Sequence, residues 1–349
     1  MLVEPFRETK LTTSSSRGSG SDSGNTSSAS AATETVASTF FFWRVEELDV
    51  DGSADAGGVD PASVKAGEIV FEAQGGPEVS IELRKPGGVF VLTVEERVRD
   101  GAFVSERGGT ITTAAAAAAE ESQATVTISC KYVRRELRKL SDEDREAFLG
   151  AMEVYYGVST EDGQAEYGEG FFNYERLAAY HNADLSVACY HGGVNFLTAH
   201  AAFGLTMERS LQAVNPRVSL PLWDYMIESE TLGADWAEST FFDDDMFGRA
   251  MGSPENSHQL EGGRFGGIAS ITKPDDELLP HGMNLHCPRN ALGYLSPTHN
   301  YQDVPLLTRA GSFCNLKADS VFPSSDAFFR CFDENDTLTG WEYCMERKV

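Results

Sequence analysis

Basic residues are scarce in this chain: 28 Lys and Arg face 54 Asp and Glu, a formal net charge of −26. Phosphate backbones and anionic lipid headgroups are both bound by concentrated Lys and Arg, so this balance argues against nucleic acid and against a membrane surface as partners. Long apolar runs are missing too. A spanning helix needs about 20 mostly apolar residues, and the nearest approach is the short alanine run from Ala114 to Ala119, flanked by Thr113 and Glu120. The N-terminal stretch MLVEPFRETK has no apolar segment after its charges, and its Glu4 and Glu8 do not suit a transit peptide, so no targeting segment is read there and the compartment is left open.

Cysteine is present, but without any paired motif. The six residues at 130, 189, 287, 314, 331 and 344 are widely and irregularly spaced, which excludes a small disulfide scaffold and a zinc ribbon. Disulfides between some of them and buried free thiols both remain open. No serine–histidine–acid grouping or metal-protease helix occurs, and GGRFGG lacks the preceding buried strand and following helix of a nucleotide cradle, so it reads as a loop. Asn25-Thr26-Ser27 and Asn335-Asp336-Thr337 match the glycosylation acceptor pattern, which has meaning only in a secreted chain.

With 349 residues, the chain exceeds the roughly 100 to 200 of one typical domain, so two folded units and a tail are expected. From Thr12 to about Ala32 the residues are Ser, Gly, Thr and Ala, too poor in large side chains to offset the entropy of ordering. Residues 1–38 are accordingly read as a disordered tail. Between 39 and 130 come short alternating runs, EIVFEA, EVSIELR, GVFVLTVEERV and ATVTISC, separated by Gly and Pro clusters, the pattern of a small antiparallel β domain. After Cys130 the period turns helical: Val133, Leu137 and Leu140 recur at helical spacing, and Ser141 with Asp144 forms an N-terminal cap for SDEDREAFLGAMEVYY. A mainly helical domain is therefore expected over 131–349, making the fold class α+β.

Within that domain, FFNYERLAAYH places Tyr174, Leu177, Ala178 and His181 at i, i+3, i+4 and i+7, which puts the histidine on the apolar face. His191 follows in CYHGGVNFLTAH. His200 opens a second stripe with Phe203, Met207, Leu211 and Val214. Imidazole suits copper, and three neutral histidines converging from adjacent helices make a trigonal site with open positions. Any one of them, taken alone, reads rather as a core histidine held by backbone partners.

The text around them is more specific. In YHGGVNFLTAHAAFGLTMERSLQAVNPRVSLPLWDY, the pair His191-Gly192 is followed in order by Phe196, His200, Glu208 and Pro221-Leu222-Trp223-Asp224-Tyr225. This order resembles the central signature of the tyrosinase family of type 3 copper proteins, shared by catechol oxidases and molluscan haemocyanins, and AAYH resembles that family's first-ligand segment. The resemblance runs from about Cys130 to Gly267. It implies copper held by His181, His191 and His200, and an oxidoreductase that uses dioxygen at a dicopper centre to hydroxylate monophenols or oxidise diphenols to quinones. It also implies that Glu208 and Asp224 orient ligand histidines or neighbouring helices, with ordinary salt-bridge or capping roles as the alternative. Trp223 reads as core packing.

Two departures from the family pattern stand out. Ala199 and Ala201 take the places where the family usually has Trp and Arg beside the third ligand. The family's second copper is held by a His-x-x-x-His pair and a later histidine, and no such pair exists here. The remaining histidines are His258, His281, His286 and His299; LPHGMNLHCP sets two of them among Pro280, Gly282 and Pro288, which break helices, so they read as loop histidines. The chain stops at WEYCMERKV, about where the second copper helices of the family are expected, as in a truncated gene model or a shortened paralogue. The alternative to a phenol oxidase is thus a non-catalytic half-site copper binder or pseudoenzyme.

Overall fold

Strict alternation of large apolar and polar residues needs a surface buried on one face, and the runs after residue 38 find it in a sheet. The computed structural model describes residues 1–13, 38–48, 68–99, 122–181, 183–190, 195–268, 306–309 and 322–348. It divides the chain into Met1–Val133 and Arg134–Val349, each with its own core.

In the first unit, strands β1 (Leu2–Val3), β3 (Ser38–Glu47), β4 (Ile69–Gly75), β6 (Val89–Arg99) and β7 (Ser122–Cys130) form one sheet in the order β1-β7-β6-β3-β4. β2 (Glu8–Thr12) and β5 (Glu78–Glu82) pair as a second, antiparallel sheet. In β3, Phe41, Trp43 and Val45 are buried; in β6, Phe90, Leu92 and Val94 are. Trp43 lies opposite Val94 and Val45 opposite Leu92, so the period of two in each strand meets in register on the core face. Leu11 and Ile81 bring the two-stranded sheet into the same core. Burying each such side chain contributes about 1.5–3 kcal/mol.

Two expectations are corrected here. The sheet is mixed, because β1 pairs parallel to β7 while its other pairings are antiparallel. Residues 1–38 are not wholly a tail either. Leu2–Val3 and Glu8–Thr12 are strands, since Val3 and Leu11 supply the alternating apolar residues that the polar stretch after them lacks. Residues 14–37 lie outside the described residues, as do 49–67, whose acidic stretch from Asp49 to Asp60 reads from the sequence as a solvated loop.

The second unit opens differently from the helix read over 131–140. Residues 131–135 belong to no regular element, Glu136 is extended and bridges to Leu222, and only Leu137–Lys139 makes a single 3₁₀ turn. The reason is tertiary: Leu137 N–H donates to the Leu222 carbonyl at 2.8 Å, and Leu222 N–H to the Arg135 carbonyl at 2.8 Å, bonds that a continuous helix would forfeit. The helix proper, α1 (Asp142–Gly157), begins at the expected cap, with Asp144 N–H donating to Ser141 Oγ at 3.2 Å. Such a cap contributes about 1 kcal/mol.

α2 (Thr160–Tyr167), α3 (Tyr174–His181), α4 (Asp184–Tyr190), α5 (Asn195–Val214) and α6 (Met226–Thr231) follow. The core gathers Phe148, Leu149, Met152 and Tyr155 of α1, Tyr174 and Leu177 of α3 and Leu211 of α5 around Phe241 and Phe265. Gly163 is required by close packing, because a Cβ there would stand 2.2 Å from the Phe171 ring. α7 (Ser325–Asp333) and α8 (Leu338–Lys348) are joined by a Cys331–Cys344 disulfide, which resolves two of the six cysteines. Cys130 is a buried thiol and Cys189 an exposed one; Cys287 and Cys314 lie outside the described residues. No helix among the described residues is long and apolar enough to cross a membrane.

Candidate metal centre

The apolar faces of α3 and α5 pack into one core, and each face carries a histidine at its edge. Tyr174 and Leu177 anchor α3, while Leu211 anchors α5, with Phe203, Met207 and Val214 packed beside it. This brings the Nε2 atoms of His181 and His200 to 3.2 Å from each other, the rings standing edge to face. On the other side of the His200 ring, Nδ1 lies 2.7 Å from the Phe196 carbonyl. A carbonyl only accepts, so Nδ1 carries a proton and donates it, which leaves Nε2 as the nitrogen available to a metal. Phe196 also places its own ring against this imidazole, centroids 4.1 Å apart.

The spacing fits a shared metal ion. With metal–nitrogen bonds of about 2.0–2.1 Å, two nitrogens separated by 3.2 Å subtend roughly 100° at the metal, within the range of tetrahedral and trigonal sites. Copper accepts such a pair of imidazoles. His191 lies outside the described residues, as do His281, His286 and His299. Among the described residues no group of three metal-ligating side chains converges. His258 is placed elsewhere, its Nδ1 donating to the Gly252 carbonyl at 2.9 Å from a left-handed backbone position.

The histidine pair forms a wall shared by two cavities, of 460 and 490 Å³. The first is lined by Tyr155, Tyr156, Tyr174, Phe247, Phe265 and Arg309 among others, the second by Tyr180, Tyr190, Ala199 and Thr206 among others. The small side chain at Ala199 thus borders open space where the resemblance expects an aromatic wall. Burial raises the hydroxyl pKa of Tyr155, Tyr156 and Tyr174 above the ordinary phenol range, so all three stay protonated near neutral pH.

Glu208 and Asp224 touch neither histidine among their recorded bonds. Glu208 is buried in α5 and receives Arg134 Nε at 3.1 Å, Arg134 Nη2 at 2.6 Å and the Leu220 N–H at 2.8 Å. It ties the extended entry segment and the approach to Pro221-Leu222-Trp223 onto the helix that carries His200. Asp224 receives the Met226 N–H at 3.2 Å and so starts α6. Trp223 is 39% exposed; its Nε1 donates to the buried Glu228 at 2.9 Å and its ring meets Phe241, Phe242 and Phe322. Glu228 also takes Arg138 at 2.7 Å and Ser239 at 2.8 Å, a junction that sequence patterns did not single out.

Arg309 and the tyrosine wall were likewise missed. Arg309 carries no local signal, because it reaches the cavity through long-range pairing: its N–H donates to the His258 carbonyl at 2.9 Å and the Gly252 N–H to its own carbonyl at 2.8 Å. In GGRFGG, Arg264 binds Glu146 and Glu153 of α1 while Phe265 enters the core, which explains the loop's placement beside the cavity.

Comparison with known proteins agrees with the signature. Residues 172–320 match the common central domain of tyrosinase. The match starts later than the Cys130 boundary read from the sequence and continues beyond Gly267, into stretches that include undescribed residues. The tyrosinase-like protein tyr-3 of Caenorhabditis elegans is 29% identical over 126 residues, covering 36% of this chain and 16% of that protein. The chain therefore spans a small part of that relative's length. The resemblance read from the sequence thus recurs in both comparisons: over residues 172–320 this chain is similar to the common central domain of tyrosinase.

Proposed function

We propose that this protein binds copper through His181 and His200, with His191 as a third ligand, and oxidises phenols or diphenols with dioxygen as tyrosinases and catechol oxidases do. The observation that carries the reading is the 3.2 Å approach of two Nε2 atoms at the edge of an aromatic cavity, inside the segment that matches the tyrosinase central domain. Bound copper supplies the electron transfer and dioxygen chemistry that side chains lack. The chain's own residues supply orientation. The Phe196 carbonyl binds Nδ1 of His200, so that Nε2 would be the nitrogen to hold copper, and the π faces of Phe247 and Phe265 and the tyrosine rings would accept a planar phenolic ring. Because the wall tyrosines stay protonated, they neither compete as phenolate ligands nor add negative charge to the site.

The test is oxygen uptake together with quinone absorbance on copper-loaded full-length protein given phenol and catechol. Uptake that disappears in His200→Ala supports the oxidase. Stoichiometric copper without uptake favours the second reading, a half-site copper binder, which has its own support: among the described residues His181 and His200 are the histidines that pair, and His258 is committed to a loop carbonyl.

A further inference from the structure

We infer that the 460 Å³ cavity beside the histidine pair is a carboxylate-recognising site, so that the aromatic molecule it takes carries an anionic group which Arg309 pairs with. For the phenol this rests on the function proposed above; the anion recognition stands separately. Arg309 is half-buried on the wall of this cavity. Its Nη1 donates to the carbonyls of Gly248 and Arg249, both at 2.9 Å, which pins the guanidinium in place without neutralising it. Among the described residues fifteen ion pairs join other cations to carboxylates, and none includes Arg309.

A desolvated guanidinium without a carboxylate is costly to the folded protein, and burial indeed lowers the Arg309 pKa. Its electrostatic coupling is to the hydroxyl of Tyr156, which lines the same cavity. Guanidinium presents a planar fork that matches a carboxylate in two parallel hydrogen bonds, and the bonds to Gly248 and Arg249 occupy only one of its nitrogens. The opposite argument is the net charge of −26, which repels anions at a distance. Salt screens that field over about 8 Å at physiological ionic strength, whereas a contact pair with a half-buried guanidinium is screened less. The local cation therefore decides binding, and the global charge lowers only the rate of arrival. The rest of the wall, Tyr155, Tyr156, Phe247 and Phe265, specifies an aromatic ring as the body of the ligand.

The experiment is calorimetric titration of the full-length protein, copper-free and copper-loaded, with 4-hydroxyphenylacetate and its uncharged amide, then with phenylacetate and phenylacetamide. The acid of each pair is expected to bind at least about tenfold tighter than the amide, in keeping with a charge-assisted pair. Arg309→Gln is expected to remove that preference while leaving amide affinity unchanged, and Arg309→Lys to keep part of it. Equal affinity for acid and amide in the unmodified protein overturns the inference with no variant needed, as does a preference that survives Arg309→Gln in a folded protein. If the acid preference holds with phenylacetate but no phenol is oxidised, the carboxylate site stands and the phenol oxidase reading falls. If phenols are oxidised without acid preference, the carboxylate site falls alone.

Discussion

Replacing Glu208 by Ala tests what that carboxylate does, because its two possible roles give different readouts. The side chain is 6% exposed and receives three hydrogen bonds, two from Arg134 and one from the Leu220 N–H. Breaking a buried ion pair by removing one partner costs about 3–5 kcal/mol. Arg134 is 38% exposed, so its charge can rehydrate, and the lower end applies. The Leu220 N–H loses its partner as well, at about 1–3 kcal/mol if water does not replace it. A total of about 4 kcal/mol, taking the lower end of both, corresponds to a fall of roughly 8–16 °C in Tm for a unit of this size. The assay is thermal unfolding followed by circular dichroism, with copper content measured well below the transition. The expected result is the lower Tm with copper retained, since neither bond partner is one of the proposed ligand histidines. An unchanged Tm, or copper lost while stability is unaffected, would refute the reasoning and make Glu208 a direct support of the metal ligands.

The cysteines give two further tests. On metal-free folded protein, iodoacetamide is expected to label the exposed Cys189 at least about tenfold faster than Cys130, read by peptide mass mapping; burial holds the Cys130 thiol pKa up at about 11 and only the thiolate reacts. Comparable rates would contradict its burial. The same shift has a sign in stability. Between pH 9 and 11 the unfolded chain loses the Cys130 proton while the folded one keeps it, so stability falls as pH rises through that window, and the raised Tyr155 and Tyr174 act in the same direction. Denaturant unfolding at stepped pH should show this decline, less steep in Cys130→Ala; a flat profile or an equal slope in the variant would contradict it.

Elements whose residues reported a local period were legible before the fold was seen. The stripes ending at His181 and running from His200 to Val214 are α3 and α5, and the Ser141 cap starts α1. In GVFVLTVEERV, Phe90, Leu92 and Val94 declared their strand by alternation. What failed did so where distant partners overrode the local pattern. Val133, Leu137 and Leu140 have helical spacing, yet the backbone around them pairs with Leu222, 3₁₀ geometry takes over, and Arg134 and Arg138 reach Glu208 and Glu228. Val3 and Leu11 join the sheet core although the stretch that follows them is polar. At the site, the two histidines were visible because the family signature and the apolar stripe both pointed to them. Arg309 was not, since its place in the cavity depends on pairing with His258 and Gly252, which no short-range pattern encodes.

The central claim is that His181 and His200 hold a metal together. Its most direct test is copper content per chain by elemental mass spectrometry after reconstitution and desalting, for the unmodified protein and for His181→Ala, His200→Ala and the double variant. At least one copper per chain is expected in the unmodified protein, lost to a similar extent in either single variant with no further loss in the double, because both Nε2 atoms would address one ion. Copper retained in both single variants of folded protein, or none bound by the unmodified protein, would contradict it.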